Sequence, residues 1–71
     1  MAGTRAAAAL VISDEDRGRL EELASSPSLP HRVVRQARGL LAAAEGIPNE
    51  EIGRRVGVTA NTVRTWRAKF A

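Results

Sequence analysis

Two glycines punctuate the second half of the chain. Gly46 and Gly57 stand eleven positions apart, with Ile-Pro-Asn-Glu-Glu-Ile-Gly-Arg-Arg-Val between them. Glycine enters the left-handed backbone region that other residues resist, so each is a natural helix stop. Only a short helix fits in the interval, starting near Pro48 or Asn49 and ending by Val56. Ile52 and Val56 lie four apart and share one face of it. Beyond Gly57, Val58 is an apolar residue to bury in a turn, and Thr59 is a capping type. Ala60 to about Phe70 then runs without proline or glycine. Two short helices crossing at roughly a right angle need a small residue where they meet, and Gly53 fits that place. With Val63 and Trp66 as further apolar positions, residues 49–68 form a helix-turn-helix.

The preceding chain supplies the rest of a small core. Ser13 is a good N-cap, and Asp14, Glu15 and Asp16 fill a first turn where the helix dipole favours acids. A helix should run from Asp14 to about Ser25, with Leu20, Leu23 and Ala24 as a narrow apolar stripe. Ser-Ser-Pro-Ser-Leu-Pro at 25–30 is a loop by composition. Pro30 suits the first turn of the next helix, which should reach Glu45. Val34, Ala37, Leu41 and Ala44 recur on one face of it, with Val33 and Leu40 beside them. No segment alternates with a strand period. The expected fold is all-α: a small homeodomain-like bundle of about four helices ending in a helix-turn-helix. Residues 13–71 make one domain, and residues 1–12 read as a partly disordered N-terminal arm whose Leu10, Val11 and Ile12 pack loosely on the helices.

Charge is distributed unevenly. Residues 13–25 hold five acids and two bases, a net of −3, whereas residues 52–71 hold Arg54, Arg55, Arg64, Arg67 and Lys69 and no acid. The basic end suits a polyanion. There is no cysteine and one histidine, His31. Disulfides and thiolate zinc sites are thereby excluded, and the expected setting is a reducing cytoplasm. The apolar run Ala6–Ile12 is too short to span a bilayer, and acids follow it at once with no small-x-small cleavage site. No nucleophile–base pair, phosphate loop or cofactor motif is present, so neither an enzyme, a cofactor nor a small-molecule substrate is expected.

The last helix reads face by face. Val63, Trp66 and Phe70 fall at i, i+3 and i+7 and point to the core; the register of Trp66 with Val63 and Phe70 favours packing over base stacking. Asn61, Arg64, Thr65 and Ala68 form the opposite stripe, which a recognition helix shows to the major groove. The candidate base-contacting residues are Asn61, Arg64, Thr65 and Ala60. Arg64 matches the two acceptors of guanine, and Asn61 matches adenine. Candidate phosphate contacts are Thr59, Arg54, Arg55, Arg67 and Lys69. His31, Arg32, Arg35 and Arg38 precede the motif and read as surface positions.

From Leu10 to Phe70 the chain resembles the N-terminal DNA-binding region of mariner-type bacterial insertion-sequence transposases. The resemblance rests on Ser-Asp-Glu-Asp-Arg at 13–17, Ser-Pro-Ser-Leu-Pro-His-Arg-Val-Val-Arg-Gln-Ala-Arg at 26–38 and Leu-Leu-Ala-Ala-Ala-Glu-Gly at 40–46. It continues through Asn-Glu-Glu-Ile-Gly-Arg-Arg-Val-Gly-Val at 49–58 and Asn-Thr-Val-Arg-Thr-Trp-Arg at 61–67, and ends on Phe70. In that family the region binds the terminal inverted repeats of a mobile element, and a catalytic domain with three carboxylates and divalent metal follows. The resemblance therefore implies a recognition module without the chemistry, at the nucleoid, with double-stranded DNA as partner. Two departures stand out. Pro48 replaces a usual capping serine, which puts the start of that helix in question. Gly53 replaces a usual alanine, which should weaken the helix by roughly 0.5–1 kcal/mol. Two other readings stay open: a stand-alone transcriptional regulator of the same fold, acting as a homodimer, and a helical protein-interaction module.

Overall fold

The computed structural model describes residues 9–70, so most of the expected N-terminal arm lies outside the described residues. Four α-helices follow in order: α1 (Asp14–Ala24), α2 (His31–Ala44), α3 (Asn49–Val56) and α4 (Ala60–Phe70). No strand occurs among the described residues. The fold is the all-α bundle that the sequence predicts.

Each boundary has a local cause. The Ser13 hydroxyl accepts the Asp16 backbone N–H at 3.0 Å and starts α1. Pro30 stands one position outside α2 rather than in its first turn. It remains extended, and its carbonyl accepts from Val33 and Val34. Gly46 ends α2 at φ 83°. The N–H of Gly46 bonds the Ala43 carbonyl and that of Ile47 bonds the Ala42 carbonyl, a Schellman closure that folds Ile47 back onto the core. Pro48 does not displace the start of α3. Its carbonyl accepts the Ile52 N–H at 3.0 Å, and Glu50 and Glu51 occupy the first turn, where the dipole favours them.

Packing centres on α2, which touches α1 on one side and α3 and α4 on the other. Leu20, Ala37 and Leu40 form one buried cluster, and Ala43, Ile52 and Val63 form the second. Leu10 and Trp66 pack against both and join them. The buried residues of α2 are Ala37, Gly39, Leu40 and Ala43. The expected face of Val34, Ala37, Leu41 and Ala44 is thus rotated, because α2 must serve two clusters rather than one. Val34, Leu41 and Ala44 are only half-buried. Leu10 is held more firmly than loose packing implies, since its N–H also bonds the Ala43 carbonyl at 2.9 Å. Val11, by contrast, is exposed.

Gly39 is the position that sequence reasoning overlooked. A Cβ built there would lie 2.6 Å from Trp66 Cζ3 and 2.9 Å from Cε3. The indole therefore rests directly on the backbone of α2, and that contact fixes the rotation of α4. Its only warning in the sequence is a glycine inside an otherwise strong helical pattern.

Candidate nucleic-acid interface

The α3–α4 junction is built around Gly53 and Gly57. Gly57 takes φ 82° and ψ 33°. The Gly53 carbonyl accepts two N–H groups, from Gly57 at 2.7 Å and from Val58 at 2.9 Å. The other side of Gly53 is equally constrained. A Cβ there would collide with the Val58 carbonyl oxygen and lie 3.3 Å from the Thr59 carbonyl carbon. Glycine at 53 is thus what lets the two helices approach this closely, and its cost in helix propensity is offset by that contact. Gly53 therefore stands where the sequence places a small residue for the helix crossing, and the loss in helix propensity expected from its replacing alanine is outweighed there. Val58, expected to be buried, is half-buried and packs on the second cluster.

Thr59 opens α4. Its hydroxyl accepts the Thr62 N–H at 3.2 Å and lies 3.0 Å from the Thr62 hydroxyl. Its backbone carbonyl accepts from Val63. Val63 is 1% exposed, which pins one face of α4 to Ile52 and Ala43. Trp66 and Phe70 follow on that side, half-buried and packed on the core. The opposite side is set by the same register: Asn61, Arg64, Thr65 and Ala68 are all exposed. Ala60 is half-buried at the head of the helix.

Two of these side chains are linked. Arg64 Nη1 donates to Asn61 Oδ1 at 3.2 Å, one turn away along the helix. The Thr65 hydroxyl donates back to the Asn61 carbonyl at 3.1 Å. Arg64 is thereby braced against Asn61 on the exposed face. The bond uses one of the two lone pairs of the Asn61 oxygen and leaves the other, with the amide N–H groups, for a base.

The remaining cations are spread around this face. Arg54, Arg55 and Lys69 are exposed, and Arg67 is half-buried. Arg55 is paired with Glu51 at 2.6 Å across one helical turn. Both partners are well exposed, so the pair contributes little to stability and exchanges readily for another anion. Among the described residues no polar or charged residue is fully buried, and no helix is long and apolar enough to cross a membrane.

Residues 30–71, more than half of the chain, match the family model of the homeodomain-like domain. The match spans α2, α3 and α4 and leaves α1 outside it. No curated protein and no solved structure matches the chain.

Proposed function

The chain belongs to the homeodomain-like domain family, and we propose that it binds double-stranded DNA by seating α4 in the major groove. One observation carries this reading. The packed side of α4, Val63 with Trp66, leaves Asn61, Arg64 and Thr65 exposed together on a helix with no acidic residue. A helical protein-interaction module would show an apolar stripe there instead.

The roles divide by position. Arg64 offers its fork to the O6 and N7 acceptors of a guanine. Asn61 holds Arg64 in that orientation and presents its own amide to the neighbouring base. Thr65 meets a thymine methyl or a phosphate, and Ala60 and Ala68 permit close approach. Thr59 holds a phosphate at the head of α4, where free N–H groups gather. Arg54, Arg55, Arg67 and Lys69 anchor the flanking backbone. None of this calls for a cofactor. The finer identity follows from the resemblance to mariner-type transposases: the duplex is a terminal repeat of a mobile element, which this domain recognises at the nucleoid.

Selection of bound duplexes from a random pool tests both levels. An asymmetric consensus is expected for a transposon end. A palindrome bound by two copies would replace that identity with a dimeric regulator. With about four to six phosphate contacts, the logarithm of affinity should fall against the logarithm of salt with a slope near −4 to −5. A flat salt response with no enriched sequence would overturn the DNA reading itself.

A further inference from the structure

Arg35 lies on α2, outside the helix-turn-helix, yet the fold delivers its guanidinium to the turn. A Cβ built on Gly57 would lie 3.8 Å from Arg35 Nη1. The guanidinium therefore sits beside the one residue of the turn that has no side chain to screen it. Its Nε is buried and has no hydrogen-bond partner. No carboxylate pairs with Arg35 among the described residues. Its neighbours in sequence behave differently: Arg32 and Arg38 are exposed, whereas Arg35 is half-buried.

Burial closes the Nε to an outside anion, so an anion reaching this residue is met by the terminal Nη groups beside Gly57, and a guanidinium normally finds one. The position of this guanidinium suggests which anion. Gly57 separates the last turn of α3, which bears Arg54 and Arg55, from Thr59 at the head of α4. A planar fork with fixed donors suits the paired oxygens of a phosphodiester better than a single point acceptor. We propose that Arg35 is a phosphate anchor contributed by α2, gripping the duplex backbone beside the groove that α4 enters. Gly57 then has two tasks: it supplies the positive φ of the turn, and it keeps the path from Arg35 to the phosphate clear. The inference rests on the DNA reading given above and adds a contact from outside the motif.

The test compares the whole chain with its Arg35→Met and Arg35→Lys variants on a selected duplex and a scrambled one. Each phosphate contact contributes about 0.9 to the salt slope, so raising salt from 50 to 200 mM costs about 3–4-fold in affinity per contact. Arg35→Met should lose that increment on both duplexes alike, and Arg35→Lys should retain most of it. A scan of single methylphosphonate substitutions locates the contact. One neutral linkage should weaken the wild type and leave Arg35→Met unaffected, which a purely structural role for Arg35 would not produce. Thermal unfolding by circular dichroism without DNA measures any loss of fold separately. Where Arg35→Met does not fold, Arg35→Gln, which is neutral but keeps a polar end, carries the scan, and it should lose the response at that linkage. A wild-type salt slope and an unchanged scan in the folded neutral variant overturn the proposal while leaving the DNA reading intact. A wild-type chain that binds no duplex overturns both.

Discussion

Replacing Gly53 by alanine sets two effects of opposite sign against each other. In an isolated helix the change stabilises by roughly 0.5–1 kcal/mol, because alanine loses less backbone entropy. In this fold the new methyl group meets the Val58 carbonyl oxygen, with the Thr59 carbonyl carbon 3.3 Å and the Ala60 nitrogen 3.4 Å away. All three are backbone atoms and cannot rotate aside. The turn is also tied to Gly53 by two hydrogen bonds, of 2.7 and 2.9 Å, so relief of the clash stretches both. Overpacking of this kind costs about 1–3 kcal/mol, and a pinned backbone places it in the upper half of that range. The net expectation is a loss of about 1–2 kcal/mol. For a domain of this size that lowers the unfolding midpoint by roughly 5–15 °C. Circular dichroism melts and urea titrations of the two proteins give the comparison. A midpoint that rises by several degrees would refute the reasoning: propensity would then govern position 53, and the close crossing of α3 and α4 would be wrong.

Three further outcomes follow from the same packing and charges. Gly39→Ala places a methyl group 2.6 Å from the Trp66 ring; it should destabilise by about 1–3 kcal/mol and shift the tryptophan fluorescence maximum. Trp66→Ala should cost about 3 kcal/mol, the low end for a large aromatic because the ring is half-exposed, and denaturant titration should show it largely unfolding a domain of this length. Glu51→Gln releases Arg55 from its 2.6 Å ion pair; it should tighten binding to any duplex alike at low salt and leave the melting midpoint nearly unchanged.

The sequence carries the helices because their ends are marked by residues with a single mechanical reason to be there. Ser13 caps, Gly46 and Gly57 stop, and Thr59 caps again. The exposed stripe of α4 was equally legible, since Val63 is apolar at the position that must be buried and so fixes the phase of Asn61, Arg64 and Thr65. What was hidden depends on which elements meet. Periodicity shows that α2 has an apolar face, but not that it must serve two clusters, so the buried line runs through Ala37, Leu40 and Ala43 instead. Gly39 lacks any side chain to signal its role, which is set wholly by Trp66, twenty-seven positions away. Arg35 likewise looks no different in sequence from Arg32 and Arg38. Only the placement of α2 beside the Gly57 turn distinguishes it.

The central claim is that the exposed face of α4 reads bases while the cations around it hold the backbone. It is tested most directly by measuring Arg64→Ala and Arg55→Ala on a selected duplex and a scrambled one, at two salt concentrations. Arg64 is braced by Asn61 on the exposed stripe, so its loss should cost about 1–3 kcal/mol on the selected site, little on the scrambled one, and relax preference at one base pair. Arg55 lies on α3, which in the proposed docking crosses the backbone, so its loss should weaken both duplexes equally and reduce the salt slope by about one. Equal loss on both duplexes for Arg64→Ala would contradict the account, since α4 would then be an electrostatic anchor that does not read sequence.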